Sequence, residues 1–321
     1  MATYKGIQGF AIQNVTSDPT TVGQVWYNST DQVFKLYDGV TGSASWATGG
    51  NMGTARYLLA GAGTQTAGLA IGGYDKSIPG ATNATEEYNG SSWTGGGNMG
   101  TARNSLAGCG TQTAALAFGG DPSPSATEEY NGTAWTGGGA MGTGRGGTLG
   151  GLGTQTAGLA FAGNTDPDAT EEYNGTSWTN GGTMSTGRVA IAAAGTQTAG
   201  LAIGGNSPLT SCEEYNGSSW TNGGNLPGGG LEYTAGFGTQ TAAVAALGQP
   251  PPAGQNTTIV YDGSSWTTSA NASTPRARLA AGGASPSTAG VVFGGDNNNI
   301  SQNATEEYTG AIVATKTITT T

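Results

Sequence analysis

The pentapeptide Gly-Thr-Gln-Thr-Ala recurs along this chain, and no other feature limits its fold as strongly. Five copies lie at 63–67, 110–114, 153–157, 195–199 and 238–242, and a degenerate copy, Ser-Pro-Ser-Thr-Ala, lies at 285–289. They are spaced roughly 40–50 residues apart, a period typical of solenoids, propellers and repeat arrays. The sequence therefore predicts a repeat architecture.

The composition alone would suggest disorder. Glycine contributes 61 of the 321 residues, and charged residues are only 9%. However, seven tryptophans and twelve tyrosines recur at fixed places in the repeats, whereas disordered chains are poor in aromatic residues. We therefore expect a folded chain.

Each repeat contains the pattern of four short strands. In the first repeat we predict strands over 56–63, 66–71, 84–88 and 92–94. The pair Asn89-Gly90 lies between the last two, and Asn-Gly is a strong signal for a tight hairpin turn. Four short strands per repeat, joined by tight turns, are typical of a β-propeller blade.

The same repeat resembles the kelch signature. Gly72-Gly73, then Tyr88 and Trp93, then Met99 and Arg103 match its double glycine, its spaced Tyr and Trp, and its Met-x-x-x-Arg ending. The match recurs over residues 50–310. The resemblance implies an all-β, kelch-like β-propeller with four-stranded blades.

The number of blades is less directly encoded. Six repeats begin at Arg56, Arg103, Arg145, Arg188, Leu231 and Arg278. We predict a seventh blade at the N-terminus, with its first strand from Phe10 and with Tyr37 and Trp46 as its aromatic pair. Residues 1–52 would then form the N-terminal segment and blade 1, and residues 53–321 blades 2–7 of one closed propeller. Because the last repeat lacks a tryptophan, Ile312-Val313 would serve in its place.

Six blades plus an N-terminal hairpin is the alternative. In that arrangement the strand containing Trp46 closes the ring against the C-terminal repeat.

Two N-terminal segments resemble virion proteins. Residues 23–29, followed by residues 34–39, are similar to a motif of bacteriophage tail-fibre and other virion proteins. The arrays rich in Gly-Thr-Gln-Thr-Ala also resemble those of marine phages. The resemblance implies a virion protein in a tail fibre, tail tip or capsid surface, with other virion proteins or a host-surface glycan as partners, and it allows a homo-oligomer.

Two alternatives to host adhesion remain open. One is a capsid decoration or assembly protein with no host ligand. The other is a bacterial kelch scaffold, cytoplasmic or on the cell surface, that binds a protein partner.

Arginine and glutamate occur together in the repeats. Five repeats carry an arginine at the first strand and a glutamate pair in the third, namely Arg56 with Glu86-Glu87, Arg103 with Glu128-Glu129, Arg145 with Glu171-Glu172, Arg188 with Glu213-Glu214 and Arg278 with Glu306-Glu307. The repeat at Leu231 lacks both and has Ile259-Val260. We therefore expect one structural Arg–Glu pair in each of the five blades. Adjacent strand residues face opposite sides, so only one glutamate of each pair can be the partner.

The residue inventory argues against catalysis. The chain has no histidine, which removes His-based acid–base catalysis and His-ligated metal sites. The glutamate pairs recur in five repeats, as a structural role predicts. We expect no enzyme activity and no cofactor. Cys109 and Cys212 fall where sibling repeats have Ala or Thr, so we expect no disulfide framework.

Charge and hydropathy limit the partners. The net charge is −10, with only ten Lys and Arg, which argues against nucleic acid. No apolar run approaches the ~20 residues that a membrane span needs. We expect neither partner.

The loops between the second and third strands are the candidate binding sites. They open on one face of the propeller and diverge in sequence, whereas the turns on the other face are nearly identical. Function tends to lie on such loops. The candidate residues are Tyr74, Asp75, Lys76, Asp121, Asp166, Asp168, Asn206, Gln249, Asp296 and Asn297. The oxygen-rich segments 166–168 and 296–299 could hold Ca²⁺, but we expect ordinary loops there.

Overall fold

The computed structural model describes residues 13–15, 25–28, 33–122, 124–206, 209–249 and 255–318, and every regular element in them is a β-strand. The chain divides into two compact units. One comprises Ser45–Thr309, and the other comprises Met1–Ala44 with Gly310–Thr321.

The strands follow in chain order. Those before the first repeat are β1 (Gln13–Val15), β2 (Val25–Asn28), β3 (Val33–Gly42) and β4 (Ser45–Thr48). Repeat 1 has β5 (Ala60–Thr64), β6 (Ala67–Ile71), β7 (Tyr74–Asp75), β8 (Gly80–Ala81), β9 (Thr85–Tyr88) and β10 (Trp93–Gly95). Repeat 2 has β11 (Ala107–Thr111), β12 (Ala114–Phe118), β13 (Thr127–Tyr130) and β14 (Trp135–Gly137). Repeat 3 has β15 (Gly150–Thr154), β16 (Ala157–Phe161), β17 (Thr170–Tyr173) and β18 (Trp178–Asn180).

The remaining repeats continue the pattern. Repeat 4 has β19 (Ala192–Thr196), β20 (Ala199–Ile203), β21 (Cys212–Tyr215) and β22 (Trp220–Asn222). Repeat 5 has β23 (Ala235–Thr239), β24 (Ala242–Gly248), β25 (Gln255–Tyr261) and β26 (Trp266–Thr268). Repeat 6 has β27 (Ala280–Ala281), β28 (Ala289–Phe293), β29 (Asp296–Asn297), β30 (Ile300–Ser301) and β31 (Thr305–Thr309), and β32 (Ile312–Ile318) follows it.

Residues 45–309 form a six-bladed β-propeller, so the prediction of seven blades is wrong and the six-bladed alternative is confirmed. Blades 1 to 5 are antiparallel sheets of four consecutive strands from one repeat, apart from the inserted hairpin β7–β8 in blade 1. Blade 6 has the strand order β27-β28-β31-β4. Its outer strand therefore comes from the beginning of the chain and closes the ring.

Trp46 supplies the aromatic residue that repeat 6 lacks. It pairs with Tyr308 in the β31–β4 ladder, and the two ring centroids are 5.1 Å apart. The same Tyr–Trp contact measures 4.8–4.9 Å in the other five blades. The expectation that Ile312-Val313 would take this place is wrong, because those residues pair with β3 instead.

The other unit contains a sheet with the order β1-β2-β3-β32. In it β1 and β2 are parallel, with Gln13 opposite Trp26, whereas the first two strands of each propeller blade are antiparallel. This sheet therefore departs from the blade pattern and is not a seventh blade of the propeller. The proposed strand start at Phe10 lies outside the described residues.

Small side chains allow the innermost strands to converge on the propeller axis. Strands such as β5 (Ala-Gly-Ala-Gly-Thr) and β19 (Ala-Ala-Ala-Gly-Thr) line the axis, where the six innermost strands enclose a narrow cavity of about 90 Å³. A Cβ on Gly61 would lie 2.1 Å from the carbonyl oxygen of Ala281 in the neighbouring blade. Bulk at such positions is incompatible with the ring.

The core lies between blades and is tied by repeated hydrogen bonds. In five blades the tryptophan Nε1 donates to a threonine hydroxyl of the preceding blade at 2.9–3.1 Å. The glutamine of each Gly-Thr-Gln-Thr turn donates to two backbone carbonyls of the preceding blade, as Gln112 does to Gly68 and Tyr88. The recurring pentapeptide therefore links each of these blades to the preceding one through the hydrogen bonds of its glutamine.

Candidate binding face

The propeller has two unlike faces. We call the one with the Gly-Thr-Gln-Thr and Asn-Gly turns the turn face, and the one with the loops between second and third strands the hairpin face. Ser45 and Thr309, the two ends of the propeller unit, pair with each other where other blades have their Asn-Gly turn. The two links from the propeller to the rest of the chain, before Ser45 and after Thr309, therefore leave from the turn face. Neither link leaves from the hairpin face.

The predicted Arg–Glu pairs are present within blades. The guanidinium–carboxylate distances are 2.6–3.2 Å, for Arg56–Glu86, Arg103–Glu128, Arg145–Glu171, Arg188–Glu213 and Arg276–Glu306. All five arginine side chains are fully buried. Burial lowers the pKa of Arg56, Arg103 and Arg276, and the partner glutamates oppose this shift.

Each arginine also fixes the base of a hairpin-face loop. Nη1 of Arg56 donates to the carbonyls of Gly72 and Ala84 at 2.6 and 2.9 Å. These residues flank the loop between the second and third strands. The arginine therefore links a structural ion pair to the position of a candidate binding loop.

Arg278 was assigned wrongly to this set. The ion pair of blade 6 uses Arg276, whereas Arg278 binds Asp296 at 3.0 Å and keeps a side chain that is 24% exposed. Two arginines two residues apart made the choice ambiguous. The spacing from Ala272, which stands where other repeats have methionine, matches Arg276 as Met99 matches Arg103.

The second glutamate of each pair faces the next blade, as the alternation of strand residues predicted. It accepts a hydrogen bond of 2.5–2.6 Å from a tyrosine hydroxyl. The donor and acceptor pairs are Tyr88–Glu307, Tyr130–Glu87, Tyr173–Glu129, Tyr215–Glu172 and Tyr261–Glu214. Burial and the glutamate together raise the pKa of each tyrosine to about 12. All ten glutamates are therefore engaged in structure.

Blade 5 replaces the ion pair by apolar contact. Leu231 and Ile259 stand at the arginine and glutamate positions and belong to one buried apolar cluster. Where this blade lacks the second glutamate, Tyr308 of blade 6 instead makes a 2.7 Å hydrogen bond with Ser269. The joint loss of Arg and Glu thus leaves no unpaired buried charge.

Six residues in left-handed conformation surround the axis at the hairpin face. One comes from each blade, with φ between 51° and 60°, namely Leu58, Ser105, Thr148, Ala190, Tyr233 and Arg278. Backbone N–H groups of five donate to the carbonyl of the equivalent residue in the preceding blade, at 2.8–3.0 Å. This backbone ring forms the mouth of the axial channel. Left-handed φ is strained for side chains with a Cβ, so the ring contacts hold this geometry.

Side chains at the mouth divide into two halves. At the six left-handed positions, blades 1 to 4 have small or aliphatic side chains, namely Leu58, Ser105, Thr148 and Ala190. Blades 5 and 6 have Tyr233 and Arg278 at these positions. Tyr57 and Tyr74 of blade 1 and Asp296 of blade 6 lie in the adjoining connections and loops, and we call these five residues the mouth sector. Blades 1 and 6 also carry the hairpins β7–β8 and β29–β30, so both side chains and loop backbone distinguish this half of the mouth.

The side chains of the mouth sector form two groups of contacts. The Arg278 guanidinium lies 5.0 Å from the ring centroid of Tyr233, and Asp296 holds it from the other side. Tyr57 and Tyr74 have centroids 5.2 Å apart, and the Lys76 ammonium lies 5.5 Å from the Tyr57 centroid. Desolvation raises the pKa of Tyr57, and the charge of Asp296 adds to that shift. All three tyrosines are half-buried.

Two hairpins border the mouth sector. The hairpin β7–β8 carries Ile78, which is 62% exposed, and β29–β30 carries Ile300, which is 66% exposed. The Lys76 ammonium contacts the backbone carbonyl of Asn299, joining the two hairpins. These are the exposed large hydrophobic side chains of the described residues.

The loop residues predicted as candidate binding residues differ in their location and burial. The structure brings Tyr74, Lys76, Asp296 and Asn297 together at this sector. Asp75 is buried, and its Oδ1 accepts two hydrogen bonds from Ser77 at 2.7 Å. Asp121 and Asp166 are exposed on the opposite half, Asp168 and Gln249 are half-buried, and Asn206 caps the N–H of Val189.

Sequence reasoning missed Tyr57, Glu232 and Tyr233, which lie in the connections that enter the first strands. Comparison of the residues after each repeat's Arg56-type position would have found them. Tyr57 and Glu232 stand where other repeats have Asn, Gly, Val or Ala.

Positive charge that reaches solvent is confined to this region of the propeller. Residues 45–309 contain seven Lys and Arg. Five are the buried arginines of the ion pairs. The other two, Lys76 and Arg278, lie at the mouth sector or against it.

Other kinds of site have little support. In the described part of the chain, no three His, Cys, Asp or Glu side chains lie close enough to hold a metal ion. Cys109 and Cys212 are buried free thiols, and burial raises the pKa of Cys109 to about 12 and that of Cys212 to about 11. Among the residues described, no helix could cross a membrane.

No protein-family model matches the chain, and no curated protein matches it.

Proposed function

We propose that this protein is a non-enzymatic adhesion and structural module of a virion, which binds its partner through the hairpin face at blades 5, 6 and 1. The observation that carries the proposal is the one-sided mouth. Tyrosine, arginine and exposed isoleucine gather in the connections and loops of blades 5, 6 and 1, whereas the left-handed positions of blades 2, 3 and 4 have Ser105, Thr148 and Ala190.

The composition of this half fits a binding surface. Tyrosine and arginine are enriched where partners bind tightly, because each gives a large contact area and directed hydrogen bonds. Contiguous exposed apolar residues mark interaction sites. The structural Arg–Glu pairs hold the loops rigid, which limits the entropy lost on binding.

The position of the chain ends supports the same assignment. Ser45 and Thr309 lie on the turn face, so the hairpin face is free of chain connections. The virion location rests on the resemblance of residues 23–39 and of the kelch-like repeats to phage proteins.

The test is binding of the full chain to whole bacterial cells. The variant Tyr57→Asn with Tyr233→Ala copies Asn104 and Ala190, which occupy the same positions in other blades, so the fold should survive. We expect this variant to lose cell binding. The matched control, Val189→Ala, changes the Tyr57 position of blade 4 and should bind as the parent does.

Two results would redirect the proposal. Binding that survives the double variant would mean that the partner uses another surface. A chain that binds no cell but copurifies with virus particles at fixed stoichiometry would replace adhesion by an assembly or decoration role.

A further inference from the structure

We infer that the mouth sector binds a neutral saccharide of one or two rings, an inference that rests on the proposed function and names its ligand class. Three features carry it: tyrosine rings beside the channel mouth, oxygen atoms without hydrogen-bond partners in the adjoining hairpin, and balanced charge.

The aromatic rings suit a sugar ring. Tyr57, Tyr74 and Tyr233 are half-buried and combine an apolar ring with a hydroxyl group at its edge. A pyranose offers a matching pair of surfaces, C–H groups on its face and hydroxyl groups around its rim. The cations of Lys76 and Arg278 hold two of these rings in place.

Hairpin β29–β30 contains unpaired oxygen atoms. Asp296 Oδ1, Asn297 Oδ1 and Ser301 Oγ are shielded from solvent and have no hydrogen-bond partner within the described residues. Asp296 itself is only 3% exposed. Unpaired polar atoms of this kind are uncommon and costly. A ligand rich in hydroxyl groups would have to displace this short hairpin, whose strands have two residues each, to supply the donors that these oxygens lack.

Donors and further polar groups stand beside these oxygens. The hydrogen bond of Arg278 to Asp296 uses Nη1, and the rest of its guanidinium has no hydrogen bond in the described part of the chain. Asn298 and Asn299 at the hairpin tip are exposed, and each amide both donates and accepts. The site therefore offers donors and acceptors in alternation, as sugar hydroxyls require.

The charge favours a neutral sugar over an acidic one. The positive charges of Lys76 and Arg278 are balanced by the carboxylates of Asp296 and Glu232. The whole chain carries a net charge of −10, which repels polyanions at long range. An acidic saccharide would gain little attraction here.

Saturation-transfer-difference NMR with the full chain tests the inference. The probes are the methyl glycosides of glucose, galactose, mannose and N-acetylglucosamine, with glucuronic acid and N-acetylneuraminic acid as charged counterparts. We expect at least one neutral glycoside to bind with a Kd of about 1 mM, the range of a single small ligand with few anchors. Tyr233→Ala and Tyr57→Asn should each weaken it about tenfold, and Val189→Ala should not.

Three results would overturn the saccharide assignment: no transfer from any neutral glycoside, stronger binding of the acidic sugars, or equal binding by the sector variants. Thermal melting of each variant checks that the propeller remains folded.

A parallel measurement separates this inference from the proposed function. Periodate cleaves the vicinal diols of cell-surface glycans. Cell binding that depends on the mouth sector but survives periodate would overturn the saccharide ligand and leave adhesion standing. Binding of a neutral glycoside without binding to cells or particles would support the saccharide site and overturn the virion role.

Discussion

At the scale of single residues, the buried arginines show how a polar group can organise a glycine-rich fold. Each one bonds a carboxylate and two carbonyls while fully shielded from water. Its Nε remains unpaired in four of the five blades, whereas Arg145 Nε reaches Glu171 at 3.4 Å. A buried ion pair adds little net stability, but removing one partner is strongly destabilising because the other charge stays buried and unpaired.

This asymmetry gives the first prediction. Arg103→Leu should lower the free energy of unfolding by about 3–5 kcal/mol, because Glu128 is left charged in a buried site. Adding Glu128→Ile copies the Leu231 and Ile259 pair of blade 5 and should recover most of that loss. Urea denaturation of the two variants measures both values.

Lys76→Leu is the control, since its side chain is exposed and forms no ion pair in the described residues, and we expect a loss of no more than about 0.5 kcal/mol. Additive losses in the Arg103 and Glu128 double variant would contradict the pairing energetics.

The sequence predicted the pairing chemistry better than its exact members. Joint presence of Arg and Glu in five repeats, and joint absence in one, indicated the contact. It could not separate Arg276 from Arg278, because both lie near the start of the same strand. Only packing shows which guanidinium enters the blade.

At the scale of elements, the tight turns between third and fourth strands depend on one side-chain oxygen. Asn131 Oδ1 accepts the N–H groups of Thr133 and Ala134 at 3.0 and 2.9 Å. Asp262 makes the same pair of bonds in blade 5. The glycine after each has φ near 90°. Asn131 and Asp262 are not among the residues with positive φ, so only the glycine of each turn takes the left-handed conformation.

The turn of blade 5 makes stability depend on pH. Hydrogen bonds from the backbone of Ser265 and from the hydroxyl and backbone of Ser264 lower the pKa of Asp262 to about 2. The folded pKa lies below the unfolded value near 4, so the carboxylate stabilises the fold above pH 4 and loses this effect as the pH falls through 2.

We therefore expect the difference in Tm between the parent and Asp262→Asn to shrink between pH 4 and pH 2. Asn131→Asp should create the same dependence in blade 2. A difference that stays constant over this range would show that the turn does not sense the charge.

Strand positions were predictable because the repeat supplies its own comparison. The four strands expected in repeat 1 correspond to β5, β6, β9 and β10, shifted by a few residues at most. The short hairpins β7–β8 and β29–β30 were not expected. They lie in loops that differ between repeats, where neither periodicity nor a turn signal marks a strand.

At the scale of the whole molecule, one short strand closes the ring. Because β4 completes blade 6, we expect a chain of residues 45–309 to unfold cooperatively. A chain of residues 49–309 lacks β4 and exposes the edge of β31 together with Tyr308. We expect it to lose cooperative unfolding and to associate, since open strand edges pair with other chains.

Thermal unfolding followed by circular dichroism, with light scattering for association, compares the two. Equal melting curves would mean that the ring closes without β4.

The sequence alone did not determine the number of blades. Tyr37 and Trp46 both stand at blade-like spacings, but only Trp46 joins the propeller. The candidate site was predicted in part for a similar reason. Divergent loops indicated the hairpin face, while Tyr57 and Tyr233 lie in connections that become neighbours only when blades 5, 6 and 1 meet around the axis.

The place of β4 in blade 6 also sets an order of events during synthesis. β4 leaves the ribosome before any repeat, whereas its partner β31, the last strand of repeat 6, leaves after all the other blade strands. At roughly 5–20 residues per second, β4 waits on the order of tens of seconds for that partner. Blades 1 to 5 can fold as they appear, but each nascent chain remains an open arc. Nascent chains on neighbouring ribosomes of one messenger RNA can therefore exchange their β4 strands. The product of such an exchange would be a domain-swapped dimer.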